Sequence, residues 1–249
     1  MQVLIVGNSQ ASMLKQAHSS GLVATGSRLS LNFFVIPGGH GPYLTVRDDR
    51  MVVFGSNPDY PPYADPEDTP DRPLSGFDAV VVSALGYVDG GFAFNNPITT
   101  LATMPEFAPS PEATARELVS AACYRALVHS RLASHYGVRF LRELCDAFRG
   151  PVLVQPFPYA SAALAEREDW RLRKDYDDYL GAHQIFATAK DAALASICDE
   201  AGARLLDYPD PEWRERAMTP AHLMRPGDCI HPTQEHGAMV LRQIVEALA

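Results

Sequence analysis

Five short runs of apolar, largely β-branched residues punctuate the chain, at 3–6, 31–36, 79–82, 152–154 and, more weakly, 204–206. None of them alternates with polar residues. A strand with one face in water alternates, whereas a parallel strand covered on both faces does not, so these runs predict parallel strands in the middle of a layered structure. Between them the apolar spacing changes to that of helices. Residues 112–148 carry apolar positions at Leu118, Ala121, Ala122, Leu127, Leu132, Phe140, Leu141 and Leu144, which predicts two helices broken near Gly137. An Ala-rich, charged region at 161–202 predicts further helix with an interruption around Gly181. A last helix is expected from about 233 to 248, with Thr233 as its cap and Gln234 and Glu235 in its first turn. Strands alternating with helices define an α/β sandwich with a mainly parallel sheet, in one domain spanning 1–249.

Two stretches break this rhythm. At 40–76, residues 43–46 and 51–54 flank Arg47-Asp48-Asp49-Arg50 as a small hairpin, and the proline-rich segment 56–66 follows, which excludes regular structure. Its tyrosines, Tyr43, Tyr60 and Tyr63, favour a packed lid over one sheet edge. A second irregular stretch, 89–111, contains Gly90-Gly91 and Asn95-Asn96-Pro97. Internal repeats are absent.

Composition narrows the function classes. The chain has 249 residues, 47% hydrophobic and 20% charged, and a net charge of 21 − 30 = −9. That is a globular composition with ample core and no basic stripe for neutralising phosphates, so a nucleic-acid partner is not expected. No apolar stretch approaches the roughly 20 residues needed to cross a bilayer. Cys123, Cys145, Cys198 and Cys229 form no Cys-x-x-Cys pair and no ligand set with histidine, so they are expected as buried thiols in a reducing compartment and no metal is expected. The N-terminus reads as a strand and not as a signal peptide, which points to the cytoplasm.

Two places concentrate chemistry. The first strand ends in Gly7-Asn8-Ser9-Gln10, and a helix is expected to start at once. Ligands of open parallel sheets bind beyond the strand carboxyl ends, and the free amides of a helix start favour negative charge. Ser9 is therefore either a nucleophile facing that crevice or the cap of the helix. Near the other end, Gly227-Asp228-Cys229-Ile230-His231-Pro232 directly precedes the last helix. A serine hydroxyl needs a base to take its proton, and the base needs a partner that fixes its tautomer. Asp228 and His231, three residues apart in a tight turn, have that relationship.

Together the two ends resemble the SGNH/GDSL hydrolases. Gly7-Asn8-Ser9 is similar to their Gly-Asp-Ser apart from one isosteric change, and Asp228-Cys229-Ile230-His231-Pro232 is similar to their Asp-x-x-His-Pro. The resemblance implies a flavodoxin-like three-layer α/β/α sandwich with about five parallel strands and no cofactor. It also implies Ser9 as nucleophile, His231 as general base and then acid, and Asp228 as its orienting partner. The Ser9 amide and a glycine after the second strand, Gly39 with Gly38 as the second choice, would form the oxyanion hole. Where the family has Gly-x-Asn-Asp, this chain reads Gly86-Tyr87-Val88-Asp89, and Val88 cannot donate a hydrogen bond. Loss of one such donor costs about 100- to 1000-fold in turnover, unless Asn95 or Asn96 replaces it. Asn8, Gln10, His40, Gly86 and Tyr87 flank the same crevice and are available to bind substrate. Gly-Asn-Ser-Gln also resembles the Gly-Asn-Cys-Gln start of some capsule-biosynthesis acyltransferases. The implied function is a serine esterase or O-acyltransferase on a small-molecule or carbohydrate ester, with an acyl donor where transfer occurs.

Two other readings stand beside it. A non-catalytic ligand-binding protein on the same fold is suggested by Val88 and Asn8. A flavin-binding domain follows from topology alone, but the first loop lacks the small-residue phosphate cradle. His18, His129, His135 and His183 are expected as surface or packing residues, His236 as a first-turn helix residue, and His222, like His40, as a loop residue able to line a pocket. The charges at 167–175 are expected on a solvated helix face.

Overall fold

The computed structural model describes residues 1–24, 26, 28–36, 44–53, 71–85, 120–166, 179–227 and 231–249. Five strands, β1 (Gln2–Gly7), β2 (Ser30–Val35), β6 (Ala79–Leu85), β7 (Val152–Pro156) and β8 (Arg204–Leu205), form one parallel sheet in the order β2-β1-β6-β7-β8. Counted within that sheet the order is 2-1-3-4-5, the flavodoxin-like arrangement, whose direction of winding reverses between the first and third strands. Every expected strand is present.

Burial explains why β1 reads as continuous hydrophobicity. Val3 and Ile5 point to one face, Leu4 and Val6 to the other, and all four are fully excluded from water. Burying side chains of this size contributes roughly 1.5–3 kcal/mol each. On the first face lie α1 (Ser9–Ser19), through Ala11, Met13, Leu14 and Ala17, and the last helix, α6 (Gln234–Leu248), through Ala238, Val240, Leu241 and Ile244. On the second lie α2 (Ala121–Ala133), α3 (Tyr136–Ala147) and α4 (Tyr179–Ala201), through Leu132, Phe140, Leu141, Leu144, Leu194 and Ile197. The result is the three-layer α/β/α sandwich expected from the sequence.

The break expected near Gly137 is present, and the helix boundary expected around Gly181 is not at that residue. The break between α2 and α3 falls at Ser134 and His135, two residues before Gly137: the His135 imidazole Nδ1 accepts the Gly137 N–H (3.1 Å) and caps α3. α4 runs through Gly181 without interruption. A helical glycine costs about 1 kcal/mol relative to alanine, which the packing of a 23-residue helix outweighs. The region before it contains a short 3-10 turn, Ala162–Glu166, and the charged run at 167–175 lies outside the described residues, as do most of the segments 40–76 and 89–111.

The hairpin is present as β3 (Leu44–Arg47) and β4 (Arg50–Val53), joined by Asp48 and Asp49, both left-handed as a two-residue hairpin turn requires. A third strand, β5 (Asp71–Pro73), which the sequence did not announce, pairs with β4. This small sheet is fixed to α3 through Glu143, whose carboxylate accepts from the Thr45 hydroxyl (2.6 Å) and the Val46 N–H (3.2 Å). A short helix, α5 (Pro211–Arg216), follows β8.

α6 packs closely on α1 because Gly237 has no side chain. A Cβ there would lie 3.2 Å from the Met13 carbonyl oxygen and 3.3 Å from the Ala17 Cβ. Replacing Gly237 by Val is expected to lower unfolding stability by about 1–3 kcal/mol through overpacking, measured as a shifted urea midpoint with unchanged slope.

Candidate functional site

Gly7 ends β1 against the neighbouring strand β6: a Cβ at Gly7 would sit 2.9 Å from the Ser83 carbonyl oxygen and 3.1 Å from the Ser83 and Ala11 Cβ atoms. Only glycine fits there. The chain then turns at Asn8, whose carbonyl accepts the first helical bond from Ser12 N–H (3.0 Å) and whose side chain accepts, at 3.5 Å, from Gln10 N–H. Asn8 is thus the cap of α1, and Ser9 is its first helical residue, exposed to solvent. Of the two roles open to Ser9 in the sequence, the cap is taken by its neighbour. Gln10 is fully buried, and the first turn of α1 carries no acidic residue to compensate its positive end. Ser9 stands at the carboxyl end of β1, beside the point where the sheet reverses its winding.

His231 lies near the other end of the chain and is half-buried. Its segment is held by backbone pairing: Arg225 N–H donates to the His231 carbonyl (2.9 Å), Thr233 N–H donates to the Leu223 carbonyl (2.8 Å), and Met224 bridges Pro232 in antiparallel fashion. Thr233 caps α6 by backbone position only, since its hydroxyl makes no capping bond and is buried without a partner. The Ser20 hydroxyl meets Gln234 Oε1 at 3.4 Å, so the first turn of α6 lies beside the last turn of α1, about 16 Å along that helix from Ser9. These contacts fix α6 on α1 without themselves joining Ser9 to His231. Asp228, Gly38, Gly39, His40, Gly86, Tyr87, Asn95 and Asn96 lie outside the described residues.

A cavity of about 890 Å³ opens where these segments meet. Leu22 beyond α1, Ser161 after β7, the 221–227 turn with His222 and Arg225, and Gln234 and Glu235 of α6 line it. His222 lines this cavity, whose lining among the described residues includes neither Ser9 nor His231.

A buried polar cluster that sequence reasoning missed sits past the carboxyl ends of β7 and β8. Tyr159 and Tyr208 stack with ring centroids 4.1 Å apart, and both hydroxyls donate to Asp191 of α4, Tyr208 at 3.0 Å. Lys190 lies in the same pocket, its Nζ 3.3 Å from the Tyr208 hydroxyl, 3.7 Å from the Asp191 carboxylate and 4.8 Å from the Tyr159 ring centroid. Burial pushes the Lys190 ammonium below its ordinary value, partly offset by Asp191, and burial together with Asp191 pushes both tyrosines well up. One signal was available: Lys190 is a lone cation on a helix face whose neighbours at three and four residues, Phe186, Ala187, Ala193 and Leu194, are all buried. The polar groups satisfy one another, which describes a tie between α4 and the ends of two strands.

Among the described cysteines, Cys198 is buried as expected and Cys123 is exposed. Burial raises the Cys145 and Cys198 thiols to about 11 and about 12, which keeps them protonated and unreactive. Among the described residues no group of His, Cys, Asp and Glu could hold a metal ion, and no helix is long and apolar enough to cross a membrane.

No family model matches the sequence, and no curated protein does. A solved structure of a carbohydrate acetylesterase family member from Sinorhizobium meliloti is similar over 100% of this chain and 97% of that one, at 10% identity and a TM-score of 0.40. The fold class rests on the strand order itself.

His236, one turn into α6, is 1% exposed and stacks on Trp213 at 5.3 Å, and burial pushes its imidazole down to about 4. The unfolded chain protonates this group near 6.5 while the folded chain resists. Stability from this source is therefore complete above about 6.5 and is lost as pH falls toward 4, by roughly 3 kcal/mol. His236→Leu is expected to flatten the decline in unfolding free energy over that window, with His183 and His135, whose values are also depressed by burial, leaving a smaller slope. In the tyrosine cluster, Asp191→Ala leaves Lys190 buried without its carboxylate and is expected to cost about 3–5 kcal/mol, against a smaller loss for Lys190→Met. Denaturant titrations of the two variants compare them directly.

Proposed function

We propose that the chain is a serine esterase or O-acyltransferase of the SGNH/GDSL type, acting on a small-molecule or carbohydrate ester. In this reading Ser9 Oγ bonds to the acyl carbon while its proton passes to the His231 imidazole, oriented by Asp228. The carbonyl oxygen becomes an oxyanion held by the amides at the start of α1 and by Gly39 or Gly38. The ester C–O bond then breaks, and the leaving alcohol takes the proton from His231. Water attacking the acyl-serine, with His231 again the base, gives hydrolysis; a sugar hydroxyl in its place gives transfer from an acyl donor. Asn8, Gln10, His40, Gly86, Tyr87, Asn95 and Asn96 are assigned to substrate binding, no cofactor is used, and the chain 1–249 works as one unit in the cytoplasm.

The observation that carries the reading is the position of Ser9: an exposed hydroxyl on the uncompensated positive end of α1, at the switch point of a 2-1-3-4-5 sheet. The chemistry of Asp-x-x-His-Pro before α6, a helix packed on α1, supplies the base.

A second reading, a non-catalytic ligand-binding protein, is favoured by the contact of Gln234 with Ser20 at the far end of α1 and by the cavity beside it.

A fluorophosphonate probe separates the two. The esterase reading expects a covalent adduct on Ser9 and, for His231→Ala, loss of short-acyl nitrophenyl ester turnover by about 10⁴-fold or more with an unchanged melting curve. The binding reading expects no adduct and ligand affinity indifferent to Ser9→Ala.

A further inference from the structure

Four described residues other than glycine have left-handed backbone: Asp48, Asp49, Ala84 and Ala217. Three have a local reason. Asp48 and Asp49 form the β3–β4 turn, and Ala217 closes α5, returning its N–H to the Arg214 and Trp213 carbonyls. Ala84, at φ 61°, lies inside β6, where the pairing with β7 slips between Ser83 and Leu85. A bulge residue in that conformation is ordinarily glycine, because a Cβ there collides with the following carbonyl. Strain of this kind persists only where surrounding structure enforces it.

Gln155 on the neighbouring strand enforces it. Its side chain is 3% exposed, and its Oε1 accepts from both the Ser83 hydroxyl (2.9 Å) and the Ala84 N–H (3.0 Å). Its Nε2 donates to the Pro156 carbonyl at 2.6 Å. Gln155 thus supplies the acceptor for the N–H of the left-handed bulge residue. Ser83 is also the residue on which Gly7 is seated: a Cβ at Gly7 would meet its carbonyl oxygen at 2.9 Å. A continuous path therefore runs from Gln155 through Ser83 and Ala84 to Gly7 and the turn that presents Ser9.

We propose that Gln155 is a positioning residue for the nucleophile, locking the strained Ser83–Ala84 bulge so that the Gly7-Asn8-Ser9 turn is held in one geometry at the switch point. The proposal rests on the serine-nucleophile reading. It assigns a purpose to strain that a glycine at 84 would relieve.

Relief of the strain and loss of positioning then move in opposite directions. Ala84→Gly is expected to raise the melting temperature by about 2–4 °C. The same variant should lower kcat, and the rate at which a fluorophosphonate inactivates Ser9, by about tenfold, with KM within twofold, because small misplacements of a reacting group are costly. Ser83→Ala, which removes one of the two bonds to Gln155, should lower the same two rates with KM retained. It also serves if Gln155→Met, which orphans the Ala84 N–H, does not fold. An Ala84→Gly protein that is more stable with both rates unchanged, or one that is less stable, overturns the positioning role and leaves the nucleophile standing. A wild-type protein that shows neither labelling of Ser9 nor ester turnover removes the nucleophile and this role together.

Discussion

Exclusion of β1 from water on both faces is the constraint from which the rest of the architecture follows. With Val3, Leu4, Ile5 and Val6 all fully buried, helices must cover both sides of the sheet, and the chain leaving β1 must cross one face to begin α1. The next main-sheet strand, β2, pairs on one side of β1, and the chain must return to the other side to place β6. That reversal leaves the carboxyl ends of β1 and β6 side by side with no connection running between them. The place of Ser9 at the switch point is thus a product of strand order. Gly7 ends β1 against Ser83 of β6 so closely that a Cβ at Gly7 would lie 2.9 Å from the Ser83 carbonyl oxygen, so the turn that leads to Ser9 starts from a position packed on β6.

The main sheet was legible because two-sided burial writes an unbroken apolar run, and all five runs became strands. Boundaries were harder where one local preference met a stronger competitor. Gly181 signals a break in isolation, yet it is one residue in a long helix whose buried face includes Phe186, Leu194 and Ile197. Near Gly137 the expected break is real, and the cause is the His135 side chain, which caps the next helix two residues earlier. β5 escaped notice since Asp71-Arg72-Pro73 has no apolar pattern at all; it is a strand only because β4 offers it an edge. In the site, Ser9 was legible from its place after a strand and before a helix. Gln155 and Ala84 were not, since nothing in Val-Gln-Pro or Ser-Ala-Leu announces a bulge, and the register slip that joins them exists only between two strands 70 residues apart.

Polar groups in the interior fall into two kinds, and the difference bears on function. Lys190, Asp191, Tyr159 and Tyr208 satisfy one another, so the perturbed acidities of Lys190, Tyr159 and Tyr208 are explained by structure, and perturbation alone does not mark a reaction site there. The Gln155 arrangement is different in kind. Its hydrogen bonds are satisfied, but they are satisfied at the expense of a strained backbone, on the strand next to the one that leads into the Gly7-Asn8-Ser9 turn. Of the two, a strained element next to a crevice is the better indicator of selection for something other than stability.

α6 begins beside Ser20, and α1 is about 16 Å long, so the start of α6 lies at the end of α1 away from Ser9. His231 lies on the segment before α6, which pairs by backbone hydrogen bonds with 223–225 and is therefore extended. Three extended residues span about 10 Å, and the proposed esterase requires that span to be directed back along α1, with the imidazole side chain covering the remainder. A segment directed away from α1 leaves Ser9 without a base and gives the cavity at Arg225 and Glu235 to a bound ligand. The direction of three residues, and not the fold around them, divides the two proposed readings.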